Sequence, residues 1–147
     1  MAQNTSPIFP LVPVNTWVSG TAANAATPGV TANTTKDLTS GTIYGPVFTG
    51  KAVDGSRLDY IKVRALGTNV ATVVRIWINN GSATGTAANN ALFLERTLAS
   101  TTVSETAELP DITLPLNLSV PAGYRIYATF GTAVAAGYHL TAVAGDY

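Results

Sequence analysis

Ile112-Thr-Leu-Pro-Leu-Asn-Leu-Ser-Val120 decides the fold class, because Ile112, Leu114, Leu116, Leu118 and Val120 recur at every second position. Side chains of a strand alternate between its two faces, so this spacing builds one apolar and one polar face. Such a strand belongs to a sheet packed on one side only. Pro115 has no N–H to donate to a doubly paired ladder, which assigns the strand to an edge or a bulge. Pro121-Ala122-Gly123 then marks a tight reversal.

The same period extends outward in both directions. In Leu58-Asp-Tyr-Ile-Lys-Val-Arg-Ala65, Ile61, Val63 and Ala65 share one face and Tyr60, Lys62 and Arg64 the other. From Val70 to Asn79, Val74, Ile76 and Ile78 point inward, with Val73, Arg75 and Trp77 outward. Gly41 to Phe48 reads as a broken or edge strand because Gly45-Pro46 interrupts it. Ala91 to Leu98 is a further strand, preceded by a loop of small residues and followed by the polar crossing Thr101 to Asp111. Arg125 to Phe130 and Tyr138 to Val143 read as a final antiparallel pair joined through Gly131 to Gly137. Roughly seven or eight strands at a spacing of about 8–12 residues predict an all-β body, an antiparallel β-sandwich of jelly-roll-like type, over residues 41–147. Its expected core is Ile61, Val63, Val74, Ile76, Ile78, Leu114, Leu116, Ile126, Ala128 and Phe130.

Residues 1–40 have a different texture. Pro7, Pro10, Pro13 and Pro28 stand among small polar residues, a mixture that disfavours helix and adds little to a core. Within it Ile8, Phe9, Leu11, Val12 and Trp17 form an apolar island, and the prolines forbid a central strand there. The expectation is an extended N-terminal arm whose island anchors on a partner surface, joined in that role by Trp77 on the outer face of the body.

Composition narrows the function classes. The chain has 147 residues, a formal net charge of zero, 11% charged and 46% hydrophobic residues, and no cysteine. The balance of charge predicts no nucleic-acid partner. So apolar and uncharged a chain predicts a covered surface, hence a homo-oligomer. Disulfides and thiolate metal sites are excluded. Met1 to Pro7 lacks the blocks of a signal peptide and no apolar run approaches a membrane span, so no membrane partner is expected.

No pattern predicts catalysis. The one imidazole, His139, falls on the face opposite Leu140 and Ala142 with no motif around it, the position of a solvent or interface residue. Glu105, Glu108 and Asp111 lack the order of a calcium loop and read as a solvated crossing, so neither a metal nor a cofactor is expected. Trp77, Tyr60, Tyr124 and Tyr127 on an outer sheet face would suit stacking on a sugar, but aromatic residues are equally the mark of protein interfaces. The scarcity of charge favours the interface.

Several short stretches carry a family likeness: Arg75-Ile-Trp-Ile-Asn-Asn-Gly81, Ala88-Asn-Asn-Ala-Leu92, Ser104-Glu-Thr106, Leu116-Asn-Leu118, Val120-Pro-Ala-Gly-Tyr124 and Ala144-Gly-Asp-Tyr147. In these the C-terminal half resembles small virion structural proteins of tailed bacteriophages, and in size and style the head decoration, or cement, proteins. The resemblance implies a β-rich homotrimer on the outer surface of the head that binds the major capsid protein and stabilises the expanded lattice. It carries no set of functional residues. A tail or fibre-associated β-module that binds a host surface glycan is the competing expectation.

Overall fold

The computed structural model describes residues 10–19 and 31–147. Eight strands run in chain order: β1 (Val12–Ser19), β2 (Tyr44–Thr49), β3 (Ser56–Ala65), β4 (Thr72–Asn79), β5 (Asn90–Leu98), β6 (Asp111–Val120), β7 (Arg125–Phe130) and β8 (Tyr138–Asp146). They form two four-stranded antiparallel sheets, β1-β8-β3-β6 and β2-β7-β4-β5. First pairs with last, second with seventh, third with sixth and fourth with fifth. That nesting, with successive pairs falling in alternate sheets, is the connectivity of a jelly roll.

The chain changes sheet at nearly every turn, which corrects two local readings. Arg125–Phe130 and Tyr138–Asp146 are not a hairpin: β7 lies between β2 and β4, while β8 lies between β1 and β3 in the other sheet. The reversal at Pro121 closes as expected, with Tyr124 N–H donating to Pro121 O at 3.1 Å and Gly123 at φ 74°, but it carries the chain across the sandwich. Adjacency in sequence suggested pairing; burial of both inner faces decided otherwise.

The edge assignments follow from the backbone chemistry. β6 is an outer strand of its sheet, and its pairing with β3 shifts register between Leu58 and Tyr60, opposite the stretch holding Pro115 and Asn117. β2 is likewise an outer strand, with a register shift between Tyr44 and Phe48 around Pro46. A missing N–H costs least where no neighbouring strand needs it.

The inner faces meet in one core. Leu58, Ile61, Val63, Leu114, Leu116, Val120, Leu140 and Ala142 come from one sheet, and Val47, Phe48, Val74, Ile76, Ile126, Ala128 and Phe130 from the other. Of the expected core only Ile78 is partly buried, packing at the margin. Phe130 is gripped between Tyr44, edge-on at 5.0 Å between ring centroids, and Tyr138, stacked at 5.1 Å.

The expected division at residue 40 does not match the described part of the arm. Val12–Ser19 pairs with β8 along its whole length, from Val12 opposite Asp146 to Ser19 opposite His139. Val14 and Val18 pack on the core, and Thr16 Oγ1 donates to Val47 O of β2. Pro13 is accommodated because β1 is an outer strand. Residues 31–43 also join the body, with Leu38 fully buried beneath the outer face of the second sheet.

Candidate functional site

Three exposed apolar side chains, Leu11, Val12 and Trp17, lie on or just before the outer strand β1. Alternation places Val14, Thr16 and Val18 toward the core and Pro13, Asn15 and Trp17 away from it. Trp17 is 69% exposed and Leu11, just before the strand, 80%; Val12 is exposed as well. Leu11 is nevertheless held, its N–H donating to Asp146 O at 2.7 Å. Ile8 and Phe9, the other expected anchors of the island, lie outside the described residues.

Pairing register shows what surrounds the indole. Trp17 lies opposite Thr141 of β8, which lies opposite Lys62 of β3, which lies opposite Thr113 of β6. Asn15 continues through Val143 to Tyr60, so Trp17 and Tyr60 share the outer face of this sheet. Two ion pairs lie on the face, Lys62 Nζ 2.6 Å from Asp111 and Arg57 Nε 2.8 Å from Asp59, beside the exposed Arg64. The Lys62 ammonium holds the Asp111 carboxyl below its usual range, and the hydrogen bond to Asp59 raises the Arg57 guanidinium. Trp17 is therefore flanked mostly by paired charges and not by a field of one sign, which suits contact with an uncharged surface.

Trp77 departs from its expected role as an interface residue. It does point to the outer face, but it is 2% exposed, packed with Leu38, Tyr127 and Ile43. Its indole N–H donates to Thr129 Oγ1 at 2.9 Å. Residues 31–43 form the cover. Asn33 Nδ2 donates to Asp37 O and Ser40 O, Arg75 donates to Asn33 O, and Arg75 Nε reaches Glu95 Oε1 at 2.7 Å. The Asp37 carboxylate accepts from Thr35 Oγ1 and from Thr39 N and Oγ1, which lowers its pKa and folds the segment into a compact turn. The cover also removes Tyr127 from the aromatic set suggested for a sugar, leaving Tyr60 on the opposite sheet and Tyr124 half-buried.

The residues weighed for chemistry are not brought together. His139 is half-buried on β8, opposite Ser19 and Arg64. Glu105 and Glu108 are exposed on the loop before β6, while Asp111 is engaged by Lys62. Among the described residues no three His, Asp or Glu side chains gather as metal ligands, and no helix is long and apolar enough to cross a membrane. Sequence reasoning missed the half of the second sheet that residues 31–43 cover; Leu38, an isolated apolar residue in a polar stretch, was its one signal. No family model, curated protein or solved structure matches the chain.

Proposed function

We propose that the chain is a non-enzymatic structural protein of a tailed-phage virion, a decoration protein that docks on the major capsid protein of the expanded head. The reading rests on the exposed apolar side chains of Leu11, Val12 and Trp17, on or just before an outer strand of a jelly roll whose chain has few charged residues. The resemblance of the C-terminal half to phage virion proteins supports it. A clamp that binds only the expanded lattice stabilises that state by its binding free energy, and three linked copies multiply the effect through local concentration. A homotrimer on the head surface is the form this reading requires.

The test is Trp17→Ala, assayed for occupancy on expanded heads of the virion whose genome encodes the chain. Because the indole is exposed, melting should hardly move, whereas loss of a buried Trp contact on the lattice should weaken binding about ten- to a hundredfold. Unchanged occupancy would remove Trp17 from the interface. The glycan-binding alternative draws on Trp17 and Tyr60 sharing one uncovered face. Cryo-electron microscopy separates the two by showing this density on the head or on the tail.

A further inference from the structure

Beside the start of β4 an open hollow of about 340 Å³ is lined by Ala71 to Val73, Arg75, Thr97, Gly131 and Thr132. Arg75 is the one charged residue of that lining, and no carboxylate belongs to it. Arg75 is 7% exposed, so its guanidinium has given up most of its water and depends on hydrogen bonds instead. Nε donates to Glu95 Oε1 at 2.7 Å, and Nη1 donates to Asn33 O and, at 3.4 Å, to Asn33 Oδ1. Nη2 meets no acceptor among the described residues, yet it is not sealed in and stays open to water. The two N–H groups of that nitrogen are thus free on an otherwise buried cation.

Gly131 keeps this edge of the guanidinium uncovered. It is not among the glycines held at positive φ, so what its missing side chain provides is space. A Cβ there would lie 3.4 Å from Nη1, 3.5 Å from Nη2 and 3.7 Å from Cζ, directly over the group on the side of the hollow. The surrounding backbone is pinned: Gly131 N donates to Val73 O at 2.9 Å, Thr132 N to Thr72 Oγ1 at 3.1 Å and Thr132 Oγ1 to Ala71 O at 3.2 Å. Thr97, opposite Val73 on β5, is exposed, and its hydroxyl is engaged by no described residue.

Charge and shape decide what fits. Glu95 Oε2 also lies 3.5 Å from Lys36 Nζ, so Arg75, Glu95 and Lys36 together carry one net positive charge. One excess charge matches a monoanion and leaves a phosphate dianion uncompensated. The planar guanidinium edge suits a carboxylate, and a hollow of this size, preformed and with few directing polar groups, is in the range of small-ligand sites. We propose that it binds a small carboxylate on a short aliphatic chain, whose oxygens accept from Arg75 Nη2 and the Thr97 hydroxyl while the chain lies on Val73. The site is on the opposite sheet from Trp17 and independent of the reading of the chain as a virion protein.

The experiment is an NMR titration of the full chain with sodium propionate at constant ionic strength, read at the Arg75 side-chain nitrogens and the methyls of Val73, Thr97 and Thr132. Propionate should shift these groups saturably, with 1-propanol and phosphate, as comparison probes, at least about tenfold weaker. Gly131→Ala adds a methyl in no worse than tight contact with the guanidinium, so the variant should fold and keep the Arg75–Glu95 pair, yet bind propionate at least about tenfold more weakly. Thr97→Val, at an exposed side chain, should weaken it about three- to tenfold. Shifts scattered over the surface, equal propionate affinity in both variants, or phosphate binding as tight as propionate would each overturn the proposal. Sedimentation of Gly131→Ala identifies the source of the carboxylate. An unchanged mass supports a free acid, whereas a lower mass would assign the hollow to an acidic side chain of a neighbouring copy and overturn the small-molecule site.

Discussion

Ile76 shows how far a single position can be argued. It sits on β4 between Leu94 of β5 and Ala128 of β7, fully buried, so truncation removes apolar contact that the surrounding sheet cannot reclaim. Ile76→Ala should lower stability by about 2–5 kcal/mol in urea unfolding, and a loss under about 1 kcal/mol would mean that its side chain does not face the core. The charged residues set the pH limits. The hydrogen bond from Arg75 holds the Glu95 carboxyl below its usual range, with Lys36 assisting, and Lys62 does the same for Asp111. A depressed carboxyl stabilises the fold above its unfolded pKa, about 4.3 for Glu, and that contribution is lost as pH falls through the lower folded value. Burial raises the phenols of Tyr44 and Tyr138, so the unfolded chain releases those protons first and stability falls above about pH 10. Unfolding measured across pH should therefore show both limbs, and Glu95→Gln should flatten the acid one. An acid limb identical in that variant would exclude the Arg75–Glu95 pair as its source.

Elements, not residues, explain why burial departs from simple alternation. Every residue of β7 after Arg125 is buried, because its inner side chains meet the core and its outer ones lie under residues 31–43. That cover depends on Leu38, which contacts Trp77 and Tyr127, and on Asn33, whose carbonyl accepts from Arg75. Leu38→Ala should cost about 2–5 kcal/mol and open Trp77 to water. In a Trp17→Phe background, where Trp77 is the sole indole, the emission should shift to the red; an unshifted spectrum would show that the segment does not cover the ring. β1 stands in the same relation to the other sheet. A chain beginning at residue 20 would leave one side of β8 without its partner along eight positions and lose the Thr16–Val47 hydrogen bond, so its thermal transition should fall well below that of the full chain. Equal melting would make β1 dispensable to the fold.

For the whole molecule, the absence of net charge and the 46% hydrophobic composition argue that copies associate. Sedimentation equilibrium at micromolar concentration should give three times the monomer mass; a clean monomer would remove the preformed trimer and leave assembly to the lattice. Much of this architecture is legible in the residues. Period-two patterning at Leu58–Ala65 and Ile112–Val120 determined an all-β sandwich, and Pro46 and Pro115 marked two of its four edge strands, because strand alternation and the missing proline N–H are local properties. Local properties do not choose partners. That β7 and β8 lie in opposite sheets, that Val12–Ser19 is a strand of the body despite Pro13, that Trp77 is covered and Trp17 is not, and that Tyr138 is buried against Phe130 were decided by the tertiary structure. Each depends on which distant segment comes to lie against the residue, and that is set by the free energy of burying both sheets at once.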